Sequence, residues 1–138
     1  MIIFDTNVLS ELMKSQPNES VVLWLEQHQT TSLFTTTLTQ AEILYGLEIL
    51  PVGQRKNALQ QAAKSMFELD FAGQILSFDA DAAKLCATIA AKRRTIGRPI
   101  SQIDAQIAAI SRSHNAILAT RNTGDFEECG IEIINPWE

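Results

Sequence analysis

The chain has 138 residues, a formal net charge of −5 and 46% hydrophobic residues. That length suits one compact domain, residues 1–138, and is short for two. The apolar content excludes wholesale disorder, and no stretch approaches the roughly 20 apolar residues of a membrane helix.

Met1 to Phe4 lead straight into Asp5 without a basic n-region or a cleavage site, so a cytoplasmic protein without a signal peptide is expected. Ile2-Ile3-Phe4 is a short apolar run, typical of a strand buried on both faces. Asn7 or Thr6 is placed to cap a short helix through about Met13. Pro17 and Asn18 break the chain, and Val21, Trp24 and Leu25 then form a helical face. Leu33 and Phe34, among β-branched threonines, read as a second strand.

Thr39 to Leu50 has helical periodicity, with Ile43, Leu44, Leu47 and Leu50 on one side and Pro51 and Gly53 as terminators. A further helix spans about Gln54 to Leu69, with Leu59, Ala62, Ala63, Met66 and Phe67 near its apolar side. Ile75 to Phe78 is a short strand candidate. Asp79 caps an alanine-rich helix that runs to about Thr95 and stops at Gly97 and Pro99. Ser101 opens the next helix, which ends near His114. Ile117 to Ala119 and Ile131 to Ile134 are the last strands. Alternating strands and helices indicate an α/β protein with a parallel sheet covered on both faces. In such sheets ligands gather at the carboxyl ends of the strands.

Two acids stand just after strands. Asp5 follows the first, and Asp125 lies in the polar segment after Ile117–Ala119, beside Gly124. Two more open helices: Glu42 in Thr39-x-x-Glu42 and Asp104 in Ser101-x-x-Asp104. Singly, each has a local explanation as a helix cap, a capping box, a dipole partner or a turn. Jointly they place four carboxylates where one sheet edge could collect them. Grouped carboxylates repel unless a cation binds, and oxygen ligands without His or Cys favour Mg²⁺ or Mn²⁺. Such ions make bound water more acidic and stabilise charge on phosphate, which suits phosphodiester hydrolysis.

The remaining chemistry is sparse. Cys86 and Cys129 fit neither a zinc pattern nor a disulfide framework and read as reduced, partly buried side chains. His28 and His114 have no partner at metal or triad spacing. Setting aside the four acids leaves 12 carboxylates against 11 Lys and Arg, so the acidic balance does not exclude a phosphate-bearing substrate. Lys92, Arg93, Arg94 and Arg98 form the dense basic cluster. It reads equally as a track leading RNA toward Asp104 or as a solvated helix end. Arg121 can contact phosphate or simply be solvated.

Four fragments in order resemble the PIN-domain nucleases, and among them the VapC/FitB-like toxins of bacterial toxin–antitoxin pairs. They are Ile2-Ile3-Phe4-Asp5-Thr6-Asn7-Val8-Leu9-Ser10, Thr39-Gln40-Ala41-Glu42-Ile43-Leu44-Tyr45-Gly46, Asp104-Ala105-Gln106-Ile107-Ala108-Ala109 and Ala119-Thr120-Arg121-Asn122-Thr123-Gly124-Asp125-Phe126. The resemblance covers essentially the whole chain. It implies a three-layer α/β/α fold and Mg²⁺- or Mn²⁺-dependent endoribonuclease activity by metal-activated water. The family's dependable acids fall on Asp5, Glu42 and Asp104, and its variable fourth on Asp125. Its supporting polar residues fall on Thr6, Asn7, Thr120 and Asn122. It also implies an RNA substrate, a DNA-binding antitoxin partner and a homodimer.

Three other readings compete. A module that mainly partners an antitoxin in operon repression would keep the same acids. An aspartyl-phosphate enzyme would want a second acid where Asn7 stands. A dinucleotide-binding protein would want a glycine-rich loop after the first strand, and none is present. Trp24, Leu47 and Leu50 lie on apolar helix faces that a core or a partner protein would cover equally well.

Overall fold

The computed structural model describes residues 1–138. Five strands form one sheet in the order β3-β2-β1-β4-β5. They are β1 (Ile2–Phe4), β2 (Leu33–Thr36), β3 (Ile75–Leu76), β4 (Ile117–Ala119) and β5 (Glu132–Ile134). Every neighbouring pair is parallel. The helices are α1 (Thr6–Leu12), α2 (Glu19–Glu26), α3 (Thr37–Glu48), α4 (Gln54–Ser65), α5 (Ala80–Thr95) and α6 (Gln102–Ser113). None is long and apolar enough to cross a membrane.

The strand residues feed two separate cores. Side chains alternate across a sheet, so Ile2 and Phe4 enter one cluster and Ile3 the other. Ala119 joins the first cluster and Leu118 the second. The first lies under α1 to α4, where it gathers Val8, Leu9, Val21, Trp24, Ile43 and Leu47. The second lies under α5 and α6, with Ile89, Ile107 and Ile110. The result is the expected three-layer α/β/α arrangement. Trp24 and Leu47 are core residues, and Leu50 packs partly against the same core.

Chain order explains the layers. From β1 the chain steps to β2 and then β3, and then returns past β1 to β4. Crossovers between parallel strands keep one hand, so reversing direction moves the following helices to the opposite face. The reversal falls between β1 and β4. Carboxyl ends of strands diverge at such a point and leave a crevice.

Several boundaries differ from expectation, each for a local reason. Asp5 itself caps α1, accepting from Thr6 N at 2.8 Å, so neither Thr6 nor Asn7 is the cap. Helix α3 begins two residues before Thr39, because β2 runs into it without a loop. Thr36 is its cap, and Thr36 Oγ1 accepts from Thr39 N at 3.1 Å. The helix expected to reach Leu69 is regular only to Ser65 and then widens into a π-turn over Met66–Asp70. That turn keeps Met66, Phe67 and Phe71 in the core.

Phe4 joins strand, core and site. It is 1% exposed, and its ring centroid lies 5.5 Å from Trp24 and 5.9 Å from Phe71. Phe4→Ala should lower unfolding free energy by about 3 kcal/mol or more. Urea denaturation will measure it, and a change below 1 kcal/mol would show that the cluster repacks.

Candidate active site

Asp5 stands at the end of β1, beside the β1/β4 crevice. Its backbone N–H continues the ladder to Ala119 O at 3.0 Å, and Thr120 N donates to Ile134 O at 3.0 Å. These bonds set Asp5 and Thr120 next to each other, 115 positions apart in the chain. Thr120 Oγ1 donates to Asp5 Oδ2 at 2.8 Å. Asn7 Nδ2 donates to the same oxygen at 3.2 Å and also lies 3.3 Å from Thr120 Oγ1. Asn122 N donates to Thr120 Oγ1 at 3.1 Å, leaving the hydroxyl proton for Asp5. Asn7 Oδ1 accepts from Arg121 N at 3.1 Å. Asp5 is thus a buried carboxylate held by an amide, a hydroxyl and a side-chain amide.

Glu42 arrives from α3. Expectation placed it in a capping box with Thr39, but Thr36 is the cap, and Glu42 lies a turn further along the helix. It has no capping work. Thr39 and Glu42, three apart, share one helix face, and both meet Thr6. Thr6 Oγ1 donates to Glu42 Oε1 at 2.7 Å and lies 3.2 Å from Thr39 Oγ1. Asp104 sits at the third position of α6, as expected, where its N–H donates to Ser101 Oγ at 3.2 Å. Asp5, Thr6, Asn7, Glu42, Asp104 and Asn122 all line one cleft of about 460 Å³.

Asp125 is more peripheral. It lies in a 3₁₀ turn over Thr123–Phe126, its side chain is exposed, and it does not line that cleft. Its charge still reaches Asp104.

The cleft resists charge. Burial pushes the Asp5 carboxyl up, the Thr120 hydroxyl and Thr6 amide offset part of this, and Asp104 and Glu42 raise it further. Burial likewise raises Asp104. The Ser101 hydroxyl opposes that, Asp125 and Glu42 reinforce it, and Arg93 lowers it. Carboxylates that strain against joint ionisation, with only oxygen donors among them, match the chemistry of a hard divalent ion. In this conformation no three of them reach a common point at ligand distance. Glu42 and Asp125 are exposed side chains, Glu42 with one oxygen held by the Thr6 hydroxyl.

The basic cluster, open in sequence between an RNA track and a solvated helix end, divides by side-chain direction. Successive helical residues point about 100° apart, so Lys92, Arg93 and Arg94 cannot share a face. Arg93 is 4% exposed and points inward. Its Nε donates to Arg98 O at 2.6 Å, and its Nη1 donates to Asp125 O and Glu127 O, both at 2.9 Å. The α5 terminus prepares this. Gly97 (φ 76°) lets Arg98 N bond back to Arg93 O at 2.8 Å and Gly97 N to Arg94 O at 3.1 Å. Arg93 is therefore a strut for the loop that carries Asp125, and not an exposed RNA contact. Lys92 pairs with Glu128 at 3.3 Å and Arg98 with Glu127 at 2.8 Å, which leaves Arg94 without an ion pair. Cys129, buried, lies 3.6 Å from Arg93 Nη1, and both cysteines are free thiols as expected.

Sequence reasoning missed Ser10, Glu11, Lys14 and Trp137 as cleft residues. Ser10, Glu11 and Lys14 follow from helical spacing after Asp5, whereas nothing local marks Trp137.

Two measurements check this geometry. Arg93→Met strands several inward carbonyls and should cost about 3 kcal/mol or more in urea denaturation, with Arg93→Lys recovering part. For Asp104, folding raises the carboxyl above its unfolded value. The ionisation penalty is absent below about pH 4, grows as pH climbs through the raised range, and is complete only above it. In chelator, Asp104→Asn should melt above wild type at pH 7, and the gain should vanish on acidification toward pH 4. Calorimetry across that range will test the sign.

Comparison with known proteins bears on this site. A family model described as PIN domain matches residues 2–131. The chain is 38% identical over 138 residues to VapC ribonuclease Y4jK of Sinorhizobium fredii, covering 100% of this chain and 99% of that one. It is 38% identical over 137 residues to Toxin FitB of Neisseria gonorrhoeae, covering 99% of each. Among solved structures, FitAB bound to an IR36 DNA fragment matches with a TM-score of 0.94 at 38% identity, covering 100% of this chain and 96% of that chain.

Proposed function

The chain belongs to the PIN-domain family, and on that premise we propose that it is a Mg²⁺- or Mn²⁺-dependent endoribonuclease, the toxin of a toxin–antitoxin pair. One observation carries the reading. Carboxylates from the end of β1, from α3 and from the first turn of α6 line a single cleft at the β1/β4 reversal.

Asp5, Glu42, Asp104 and Asp125 would hold the cation. When bound, such an ion acidifies water and stabilises negative charge on a phosphate. The protein's own groups supply position. Asp5 cannot swing, because Thr6 N, Asn7 Nδ2 and Thr120 Oγ1 all hold it. Thr6 steers Glu42 through its hydroxyl. The α6 N-terminus lends Asp104 a favourable dipole despite the surrounding acids. Asn122 acts through its backbone N–H on Thr120, one step removed from Asp5. Arg93 sets where Asp125 stands by gripping its carbonyl.

The relatives support the partners. One is called a ribonuclease, and the matching solved complex contains FitAB on DNA. Under this reading the chain takes RNA as substrate, a DNA-binding antitoxin as partner and a second copy as a homodimer. Leu44, Tyr45 and Ile49 are exposed along and just beyond α3, apolar surface of the kind such assemblies cover.

Asp5→Asn should abolish divalent-dependent RNA cleavage, a loss beyond the roughly 10–100-fold typical of removing a supporting group. Far-UV circular dichroism should be unchanged. Full cleavage by the variant would remove Asp5 from the mechanism. Wild-type protein, free of partner, that leaves RNA intact with both Mg²⁺ and Mn²⁺ would overturn the enzyme reading.

A further inference from the structure

The cleft has a cationic wall that the carboxylates do not explain. Lys14, Arg121 and Trp137 line it together with Asp5, Glu42 and Asp104. A polyanion entering this cleft meets clustered acids, so it needs positive charge close by and not already spent. Lys14 is partly spent, since its Nζ lies 3.0 Å from Glu11 Oε1. Lys92 and Arg98 are paired with acids elsewhere, and Arg93 is buried. Arg121 is exposed, lines the cleft and has no carboxylate within ion-pair distance.

Arg121 is also aimed. Its guanidinium carbon sits over the Trp137 ring, 5.1 Å from the centroid. Stacking on an aromatic face restricts a long side chain while leaving its donors free at the edge. Trp137 is anchored in turn: its backbone N–H donates to Asn135 Oδ1 at 3.0 Å, and its side chain packs partly against the core. The Arg121 backbone is registered to the site through Asn7 Oδ1, and the same Asn7 side chain holds Asp5. The cation is therefore indexed to the candidate central carboxylate at its backbone and to a rigid ring at its head group. A fold gains little from an exposed arginine tethered in this way beside an acidic cleft. A guanidinium fork with free donors is suited to a phosphate diester.

We infer that Arg121, held against Trp137, is the phosphate-gripping residue that seats the RNA backbone at the rim of the carboxylate cleft. Trp137 is a positioning residue that acts through it. This rests on the nuclease reading above and adds the residue that binds the strand, a role separate from the acids.

The test is steady-state cleavage of bulk tRNA by wild type, Arg121→Gln, Trp137→Leu and the double variant over a salt series, with binding of a labelled single-stranded oligoribonucleotide followed by anisotropy. Arg121→Gln should raise KM about 10-fold with kcat within about twofold, as expected for one lost charged hydrogen-bond contact. Its log–log salt dependence should fall by about one phosphate contact. Trp137→Leu should raise KM less, and should add nothing to Arg121→Gln. An unchanged KM and salt slope in Arg121→Gln, with wild type active, would overturn the inference, as would a loss confined to kcat. If wild type cleaves nothing, the nuclease reading fails by itself. Anisotropy then decides this inference alone, with about 10-fold weaker binding by Arg121→Gln supporting it and equal binding overturning it.

Discussion

A single buried hydrogen bond organises the candidate site: the Thr120 hydroxyl on Asp5 Oδ2, at 2.8 Å. Asp5 is 5% exposed and Thr120 is 0% exposed, so neither group has water to fall back on. An unpartnered buried carboxylate would be costly, and this bond lowers that cost. It forms only where β1 and β4 lie side by side, which is where the chain reverses its direction across the sheet. Asn7 and Asn122 then attach to the same pair, and the Arg121 backbone N–H attaches to Asn7. The cleft is thus a consequence of sheet topology, and its polar lining stabilises the junction that creates it.

The junction is built against its own electrostatics. Asp5 and Asp104 are both raised by burial, and each feels the other acids nearby. A fold selected for stability alone would replace them with apolar or neutral groups. Their presence matches a site that gives up stability in one ligand state to bind tightly in another. The neighbours moderate the conflict without ending it. Thr6 and Thr120 donate to Asp5, Ser101 opposes burial at Asp104, and the Arg93 charge lies close enough to lower Asp104.

Arg93 shows how a charged residue can serve a site without touching a ligand. Its fork joins the end of α5 to the loop at 125–127 through backbone carbonyls. The short 3₁₀ turn that carries Asp125 is therefore anchored to the end of α5. The neighbouring Lys92–Glu128 and Arg98–Glu127 pairs are exposed and add little to that anchoring, because water screens them.

Much of this was legible in order along the chain. The apolar runs at 2–4 and 117–119, the caps at Asp79 and Ser101 and the stop at Gly97 depend on near neighbours, and they stand where local rules put them. The parallel α/β class follows from their alternation. The order and spacing of the flanking residues singled out four acids, of which Asp5, Glu42 and Asp104 line one cleft. The starts of α1 and α3 lie upstream of where the local pattern puts them, because the strand ends feed those helices directly and the caps are Asp5 and Thr36. What only the tertiary structure decided was direction. It turned Arg93 inward, left Asp125 at the margin of the cleft, and brought Lys14, Arg121 and Trp137 to its wall. The physical reason is that local sequence sets backbone conformation over a few residues. Which way a side chain faces, and which distant group it meets, depends on packing across a sheet whose neighbouring strands β1 and β4 pair Ile2 with Ile117, far apart in the chain.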